Sequence, residues 1–366
     1  MHCASLGEFE QGRPLLEALK TKHSDIKIAL SFFSPSGYEV MKDYKGADHV
    51  FYLPMDSPLN AGKLIDALDP SLVLWVKYEY WYYYLAELKR RKIPVMLVSG
   101  IFRKNQPFFK WYGGIWRKML ACFTYFFVQN EVSKKLLETI PVDRRVTVNG
   151  DTRFDRVIEI AKNFEPVPFI ETFCGDNKVI VAGSTWEEDE VELLHYVKVH
   201  PEIKFIIAPH EIDKENIAAV KKEFPNSICY SELESASNEQ RATSNVLIID
   251  NIGMLSRLYK YATIAYVGGG FGVAGVHNVL EAAVYGRPVV FGPEYEKFDE
   301  ATGLLESGGG LSVSGPLGLE EVLNNLLNDE AEAIKKGEAA KDFVYSNAGA
   351  SEKIIRFIQE NRLLTS

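Results

Sequence analysis

The sequence predicts an α/β protein made of two doubly wound domains. Short apolar runs rich in Val, Ile and Leu alternate with helix-length segments along the chain, which is the pattern of parallel sheets with crossover helices. A length of 366 residues suits two domains better than one. Hydrophobic residues make up 46% and charged residues 25% of the chain, so both domains can bury a core.

The first predicted domain, residues 1–160, contains six strands and the helices between them. Its strands are Ile26–Ser31, His49–Tyr52, Leu72–Val76, Val95–Val98, Tyr125–Val128 and Val146–Val148. Its helices include Arg13–Lys22, Trp81–Arg91 and Glu131–Glu138. Pro166 and Pro168 then interrupt a polar stretch, which indicates a boundary in this region.

The second predicted domain, residues 161–345, repeats this alternation. Its strands are Val179–Gly183, Lys204–Ala208, Val246–Ile249, Ile264–Val267 and Val289–Phe291, and its helices include Glu187–Val199, Asp213–Glu223, Asn278–Tyr285 and Leu319–Asn328. The polar segment Ser231–Ser244 is predicted to be a mobile surface loop. Residues 346–366 carry a closing helix, Ser351–Leu364.

Composition excludes several classes of protein. The four cysteines are far apart and form no C-x-x-C pair, so neither a disulfide framework nor a cysteine zinc site is indicated. No apolar run approaches the ~20 residues of a membrane-spanning helix. The net charge of −9 disfavours a general nucleic-acid binder. Residues 1–155 nevertheless carry +5 and the remainder −14, so the first domain could face an anionic partner.

The densest candidate site is the segment Ile264–Pro293, which reads as strand, glycine-rich turn, helix and strand. Its glycines allow a ligand to approach the backbone closely: Gly268, Gly269, Gly270, Gly272 and Gly275. A helix that begins near His277 and Asn278 would offer free N–H groups to a phosphate. Glu281 would lie on the same helix face as His277, and its carboxylate could accept hydrogen bonds from ribose hydroxyls.

This loop also fits the G-x-G-x-x-G fingerprint of dinucleotide-binding domains, through Gly270, Gly272 and Gly275. The fingerprint belongs to the first βαβ unit of a domain, however, and this loop follows three earlier strands. The next strand ends at Phe291-Gly292-Pro293, without the acidic residue that binds a ribose 2′-hydroxyl. The sequence therefore disfavours NAD.

Other polar residues follow predicted strands in both domains, where ligands of doubly wound folds bind. In the second domain these are Ser184, Thr185 and His210; a cap of the following helix, completed by Glu187 or Glu188, explains the first two equally well. In the first domain they are Ser5, Gly7, Glu8, Ser34, Ser36, Gly37, Glu79 and Arg153. Glu8, expected in a loop, could act as a general base. No cluster has metal-ligand spacing, and no metal is expected.

The segment Arg103–Phe127 mixes five cations with nine aromatic residues. Such a segment can lie on a membrane surface with its cations toward lipid headgroups. A core helix followed by a buried strand explains it equally well. The two interpretations stay open for Phe108, Phe109, Trp111 and Trp116.

With these residues in view, the sequence resembles the 3-deoxy-D-manno-octulosonic acid (Kdo) transferases of bacterial lipopolysaccharide synthesis. The motifs occur in the order of that family: His2-x-x-Ser5-x-Gly7-Glu8, Ser34-Pro-Ser-Gly37, Glu79 before Trp81, Gln129-Asn-Glu131, Gly150-x-x-Arg153-Phe-Asp155, Ala182-Gly-Ser-Thr185, and Gly268-Gly through His277-Asn-x-Leu-Glu281 to Phe291-Gly-Pro293. Each motif is weak alone, but the ordered set is specific.

The resemblance implies a GT-B fold, in which two Rossmann-like domains face a central cleft and the last helix packs back on the first domain. It implies an inverting transfer of Kdo from CMP-Kdo to the glucosamine disaccharide of a lipid A precursor. The reaction would take place on the cytoplasmic face of the inner membrane of Gram-negative bacteria, without a metal or another cofactor. No nucleic acid partner is implied.

The resemblance also implies roles for the candidate residues. Glu8 would be the general base. Acceptor binding would involve Ser5, Gly7, Ser34, Ser36, Gly37 and Glu79. The nucleotide sugar would be bound by Arg153, Ser184, Thr185, His210, the five glycines of the loop, His277, Asn278 and Glu281.

Four departures from the family pattern stand out. Ala208-Pro209-His210 replaces Pro-Arg-His, and Lys77 replaces a Glu. Arg153 replaces a Lys, which keeps the charge but not the shape. The family's N-terminal membrane anchor does not precede the first motif here, so we expect a peripheral protein. Two alternatives remain: another GT-B enzyme that uses a UDP-sugar, or a non-catalytic protein that binds a sugar nucleotide.

Overall fold

The computed structural model describes residues 1–140, 145–237 and 243–364. Part of the predicted surface loop Ser231–Ser244 therefore lies outside the described residues, namely 238–242. The chain forms two compact units. The first contains Met1–Arg156 together with Asn347–Ser366, and the second contains Val157–Ser346.

The first unit is built on a parallel sheet of seven strands in the order β3-β2-β1-β4-β5-β6-β7. The strands are β1 (His2–Cys3), β2 (Ala29–Phe32), β3 (His49–Tyr52), β4 (Val73–Val76), β5 (Val95–Gly100), β6 (Tyr125–Val128) and β7 (Arg145–Val148). The α-helices are Leu6–Lys22, Pro35–Met41, Pro58–Leu68, Tyr82–Arg90, Gly114–Leu120, Glu131–Glu138 and Ala350–Glu360, and the helix Thr152–Lys162 begins in this unit and ends in the second. Apolar side chains cover both faces of this sheet, as parallel sheets require.

The last helix, Ala350–Glu360, belongs to the first unit. Its Ile354 and Ile358 are buried in the same cluster as Phe9 and Leu16 of the helix Leu6–Lys22. Asp155 fixes the start of this last helix, because its carboxylate accepts hydrogen bonds of 2.6 Å from the backbone N–H groups of Gly349 and Ser351.

The second unit contains another parallel sheet of seven strands, in the order β10-β11-β9-β8-β12-β13-β14. The strands are β8 (Val179–Thr185), β9 (Lys204–Pro209), β10 (Ser227–Cys229), β11 (Val246–Ile248), β12 (Ile264–Val267), β13 (Val289–Phe291) and β14 (Gly310–Ser312). The described α-helices are Ile170–Cys174, Glu187–Val199, Lys214–Glu223, Leu255–Leu258, Leu280–Ala283, Asp299–Glu306, Pro316–Asn328 and Glu330–Ser346.

Each sheet has a point where the strand order reverses, and ligands of doubly wound folds bind there, beyond the carboxyl ends of the strands. In the first unit this point lies between β1 and β4, and in the second it lies between β8 and β12. The residues that follow these strands therefore form one candidate site in each unit.

The structure confirms every predicted strand and corrects three other expectations. The first helix begins at Leu6 and contains Pro14, so Glu8 is helical and does not lie in a loop. The predicted helix Asn278–Tyr285 shortens to one turn, Leu280–Ala283. The predicted strands also lack β1, β10 and β14, which have two, three and three residues.

Candidate active site

In the first unit, Glu8 lies where the strand order reverses. Ser5 is the N-cap of the helix Leu6–Lys22, so Glu8 falls in the first helical turn. The backbone N–H of Ala4, one residue beyond β1, donates to Glu8 Oε2 over 2.5 Å. The first helical turn also offers a positive electrostatic environment to a carboxylate. The two loop residues Ala4 and Ser5 are therefore enough to hold the Glu8 side chain at the end of β1.

The environment of Glu8 raises the pKa of its carboxyl to about 7. Burial is the largest cause, and the negative charge of Glu79 acts in the same direction. The Ala4 N–H and the positive charge of Lys77 oppose the increase. A carboxylate with this pKa can accept a proton near neutral pH, which is what a general base must do.

Glu79 lies just beyond the end of β4, and two other side chains hold its carboxylate. Its Oε2 accepts a hydrogen bond of 2.9 Å from the indole N–H of Trp81 and lies 3.6 Å from His2 Nε2. His2 Nδ1 in turn lies 2.9 Å from Ser31 Oγ. Burial lowers the pKa of His2, so near neutral pH this imidazole is a neutral partner of Glu79.

Lys77, the first residue after β4, has a φ of 61°. Residues other than glycine rarely adopt this left-handed backbone conformation, and it often occurs at functional sites. Ser184, near the end of β8, has a φ of 53°. The two units thus share this unusual backbone feature at the strand ends that border their candidate sites.

The predicted acceptor residues lie in two turns of the first unit. The backbone N–H of Ser34 donates to Ala4 O over 2.7 Å, which joins its turn to the end of β1. Ser34 Oγ lies 2.9 Å from Ser36 Oγ and caps the helix Pro35–Met41. Gly37 packs on Phe32, where a Cβ atom would approach the ring to 2.2 Å. Gly7 has open space around its Cα.

Arg153 belongs to the first unit, whereas the sequence suggested a role in nucleotide binding. Its guanidinium forms an ion pair with the buried Asp151 at 2.7 Å, and its backbone N–H also donates to that carboxylate. Gln11 Nε2 donates to the same carboxylate over 3.2 Å. Burial is the largest cause and acts to raise the pKa of Asp151, but the charge and hydrogen bonds of Arg153 and the charge of Lys77 together outweigh it, and the pKa falls below its ordinary value.

In the second unit, the glycine-rich segment Gly268–His277 forms a tight loop after β12. Gly269 and Gly275 have φ values of 88° and 84°, in the region that favours glycine. A Cβ atom on Gly268 would lie 2.4 Å from Ser184 O, and one on Gly270 would lie 2.6 Å from Gly292 N. Gly272 has more room, since its nearest such contact is 3.6 Å. Most of these glycines are thus required by close backbone packing.

The loop keeps some of its donors available. The backbone N–H groups of Gly268, Gly269, Gly272, Gly275, Val276 and His277 all donate within the unit. Among the described residues, the N–H groups of Gly270, Phe271, Val273 and Ala274 find no acceptor; Gly270 is buried, whereas the other three are not. These three lie on the outer part of the loop, where Val273 is 93% exposed. They are suited to bind an anionic oxygen.

The region after the loop differs from the expectation of a long helix. Asn278 Oδ1 accepts from Leu280 N, and Asn278 Nδ2 donates to Glu281 Oε1 over 3.0 Å. This side-chain pairing replaces the first helical turn, since Asn competes with helical backbone bonds. His277 and Glu281 therefore do not share a helix face. A one-turn helix also lacks the macrodipole on which the predicted phosphate site depended.

Three rings meet beside this loop: Trp186, His210 and His277. The ring centroids of His210 lie 4.6 Å from Trp186 and 4.5 Å from His277, in nearly parallel planes. The indole N–H of Trp186 donates to His277 Nε2 over 2.9 Å. Sequence reasoning missed Trp186, because its partner His277 is 91 residues away along the chain.

Asp189 is a second residue that sequence reasoning missed. Its buried carboxylate accepts hydrogen bonds from Trp186 N at 2.9 Å, Gly269 N at 2.8 Å and Tyr266 Oη at 2.7 Å. Asp189 therefore completes the N-cap expected of Glu187 or Glu188, and it also ties the β8 turn to the glycine loop. The sequence signal was the capping position three residues after Trp186.

Thr185 faces inward and does not cap this helix. Its hydroxyl donates to Glu190 Oε1 over 2.8 Å. Burial, as the largest cause, raises the pKa of Glu190 to about 7. Ser184 is half-buried at the end of β8, beside the close approach of Gly268.

The aromatic segment in the first unit combines both of the interpretations that the sequence left open. Phe108 is buried, and Phe109 and Trp116 pack against the same core cluster. Trp111 is 92% exposed, and Tyr112 and Ile115 are each 52% exposed. Within the described residues, no helix has the length and apolarity needed to span a membrane, and no group of three or more His, Cys, Asp or Glu side chains could hold a metal.

Comparison with known proteins supports the fold and the family. A family model described as 3-deoxy-D-manno-octulosonic-acid transferase matches residues 1–156. Kdo transferases from Haemophilus influenzae and Aquifex aeolicus are 26% and 27% identical, and the matches cover 98% and 93% of this chain and 86% and 89% of those proteins. A bifunctional glycosyltransferase/methyltransferase from Fusobacterium nucleatum is 25% identical over the whole chain, which spans 55% of that protein.

Two solved structures share the fold at low sequence identity. The UDP-GlcNAc 2-epimerase of Neisseria meningitidis, bound to UDP-GlcNAc, aligns with a TM-score of 0.67 at 18% identity, over 98% of both chains. A glycosyltransferase from Rickettsia africae aligns with a TM-score of 0.62 at 16% identity, over 100% of this chain and 97% of that one. The predicted GT-B fold class is thereby confirmed.

The fold is of the GT-B class. Over nearly its whole length the chain is similar in sequence to Kdo transferases, and its first 156 residues match the model of that family, in line with its ordered motifs. The role of each site residue depends on its chemistry and on the geometry described above.

Proposed function

We propose that the protein transfers Kdo from CMP-Kdo to the glucosamine disaccharide of a lipid A precursor, with inversion at the anomeric carbon. The observation that carries this proposal is Glu8, a buried carboxyl at the end of β1 whose pKa is raised to about 7. Similarity to Kdo transferases suggests the sugar, and Glu8 supplies a base suited to activate a hydroxyl at neutral pH.

In the proposed reaction, Glu8 accepts the proton of the acceptor hydroxyl. The hydroxyl oxygen forms the new bond to the anomeric carbon of Kdo, while the bond from that carbon to the phosphate oxygen breaks and CMP leaves. Attack on the face opposite CMP gives inversion. The step balances without an oxidant, a metal or another cofactor, and we expect none to be required.

The second unit supplies the nucleotide side of the proposal. The outer N–H groups of the glycine loop can bind the phosphate of CMP, whose negative charge increases as CMP departs. Glu281 carries a carboxylate that can accept hydrogen bonds from ribose hydroxyls. Ser184, His210 and Asn278 lie on the turns around this loop. Arg153 forms an ion pair with Asp151 in the first unit, and we keep it as a predicted ligand of the nucleotide sugar.

The first unit supplies the acceptor side. Glu79, Ser34 and Ser36 offer hydrogen-bonding groups to a sugar near the strand ends that hold Glu8. The exposed rings of Trp111 and Tyr112 belong to a segment that also carries Lys104, Lys110 and Lys118, a combination that favours the headgroup region of an anionic membrane. We therefore place the enzyme peripherally on the cytoplasmic face of the inner membrane, where such an acceptor would be presented.

The test combines nucleotide binding with transfer. Calorimetry should show that CMP binds more tightly than UMP, and a radiolabelled transfer assay should show Kdo on the lipid A precursor. A preference for UMP would instead assign the chain to a GT-B enzyme that uses a UDP-sugar. CMP binding without transfer to that acceptor would leave a non-catalytic sugar-nucleotide-binding protein and would contradict the proposal.

A further inference from the structure

The ring cluster of the second unit joins three strand ends at the candidate nucleotide site. Trp186 follows β8, His210 follows β9 and His277 closes the loop after β12. Trp186 and His277 are almost coplanar, with an angle of 12° between their rings. His210 stacks on both of them, while its own side chain is exposed.

The hydrogen bond within this plane defines the state of His277. An indole N–H can only donate, so His277 Nε2 must be the unprotonated, accepting nitrogen. In a neutral imidazole the proton then resides on Nδ1. In the described part of the chain, no other hydrogen-bond partner of the His277 ring is found, and Nδ1–H remains available as a donor.

The position of Trp186 is itself fixed. Its backbone N–H is bound by Asp189, the same carboxylate that holds Gly269 N at the start of the glycine loop. The His277 ring packs against Gly269, where a Cβ atom would come within 2.8 Å of Cδ2. The indole and the imidazole are thus held against each other by the two loops that carry them.

We propose that Trp186 is a positioning residue of the nucleotide site, whose indole N–H holds His277 in the neutral Nδ1–H form. His277 then presents a hydrogen-bond donor, and not a cation, to an oxygen atom of the bound sugar nucleotide. This inference rests on the proposed function for the identity of that ligand, but the state of the ring does not.

The surroundings of His277 agree with this assignment. Burial is the first cause that lowers its pKa to about 4, and His210, the titratable group stacked on it, adds to the decrease. Asp189 is the nearby carboxyl group, and it accepts hydrogen bonds from Trp186 N, Gly269 N and Tyr266 Oη. Protonation at Nε2 would also break the bond from Trp186, since the imidazolium cannot accept it.

The test is nitrogen NMR of the whole protein labelled with ¹⁵N-histidine, with the His277 signals assigned through their loss in His277→Gln. The unmodified protein should show the Nδ1–H form. Trp186→Phe keeps an aromatic ring but removes the donor, so His277 should shift toward the Nε2–H form and its pKa should rise. Trp111→Phe, an exposed residue of the first unit, is the matched control and should leave the His277 signals unchanged.

Calorimetry of the same preparations then connects the ring to the ligand. At neutral pH, Trp186→Phe should weaken CMP binding by roughly 5-fold, the factor expected for one misdirected hydrogen bond. An Nε2–H form in the unmodified protein would overturn the inference whatever Trp186→Phe does, even if that variant fails to fold. If His277 has the expected Nδ1–H form but the protein binds no CMP, the proposed function is rejected, and the sugar nucleotide is rejected as the ligand of this donor.

Discussion

The two units place different kinds of chemistry at equivalent points of equivalent sheets. In the first unit, a two-residue strand leads within two residues into a helix of 17 residues whose first turn carries Glu8. In the second unit, β8 has seven residues and the neighbouring β12 leads into a loop of ten, Gly268–His277. Proton transfer needs one side chain in a controlled environment, whereas anion binding needs a backbone held in a fixed shape.

A pair of carboxyl groups shows the same contrast. Burial raises the pKa of both Glu8 and Glu190 to about 7. Glu190 is bound by the hydroxyl of Thr185 on its own unit's first turn. Glu8 is bound by a backbone N–H and is influenced by the charges of Glu79 and Lys77. A raised pKa alone therefore does not identify a base, and the proposal for Glu8 also rests on its position at the end of β1.

The largest expected effect is the loss of transfer in Glu8→Gln. Glutamine keeps the hydrogen bond from Ala4 but cannot accept a proton, so turnover should fall by about 10²–10⁴-fold, the usual contribution of general base catalysis. Glu10→Gln, two residues further along the same helix, is the matched control and should retain activity. CMP affinity should stay unchanged in both variants. Full turnover of Glu8→Gln would remove this residue from the mechanism.

A backbone change in the second unit should have the next largest effect. In Gly270→Ala the new Cβ would lie 2.6 Å from Gly292 N, so the loop must move. Thermal or urea unfolding should show a loss of about 2–3 kcal/mol, as for other overpacked sites, and CMP affinity should fall with it. Gly318→Ala, which has open space in the helix Pro316–Asn328, should be neutral or slightly stabilising. Equal stability of the two variants would contradict the packing described for the loop.

The contrast between the two carboxyl groups can be tested through stability. Ionised Glu8 and Glu190 are both disfavoured in the folded protein, because their folded pKa lies above the ordinary value of 4.5. This penalty is absent below pH 4.5 and complete above pH 7. Glu8→Gln and Glu190→Gln should therefore each be more stable than the unmodified protein at pH 8, by on the order of 2 kcal/mol, but not at pH 4.

Activity then separates the same two variants. Glu190 contacts Thr185 and lies outside the proposed catalytic groups, so Glu190→Gln should keep Kdo transfer, whereas Glu8→Gln should lose it. Urea denaturation at both pH values and the transfer assay supply the two readouts. A variant at Glu190 that stabilises the fold and also abolishes transfer would show that the two carboxyl groups are not distinguished as we describe.

The smallest effect on stability is expected at the exposed aromatic segment. Trp111→Ala removes a side chain that is 92% exposed, so the free energy of unfolding should change by less than about 0.5 kcal/mol. Binding to vesicles that contain anionic lipid should weaken, since Trp prefers the headgroup region. Co-sedimentation with anionic and neutral vesicles measures this. Unchanged binding of the variant would remove Trp111 from membrane contact.

The sequence was sufficient to predict the parallel strands and the segments that follow them. Residues such as Glu8, Glu79 and the glycine loop could be proposed because parallel strands all present their carboxyl ends at one edge of a sheet. The start of the first helix could not be predicted, because Pro14 favours an interruption there, whereas the fold tolerates it inside a helix packed on the sheet.

The contacts that hold the nucleotide loop were also beyond sequence reasoning. The contacts of Trp186 with His277 and of Asp189 with Gly269 form only after three strands have paired. The spacing of residues along the sequence does not indicate such contacts. The sequence allows either a long helix that begins at Asn278 or the observed short helix Leu280–Ala283. Asn278 can begin a helix, or its side chain can form the hydrogen bonds that replace the first helical ones. Arg153 likewise reveals its Asp151 partner only in three dimensions, although the two are close in sequence.

The central claim is that Glu8 is the base that starts transfer, and the pH dependence of kcat/KM tests it most directly. For the unmodified enzyme and for Glu190→Gln, kcat/KM should fall on the acid side of a midpoint near pH 7, where Glu8 gains a proton. The residual activity of Glu8→Gln should lack this transition. A midpoint near the ordinary carboxyl value of 4.5, or the same transition in Glu8→Gln, would contradict the account.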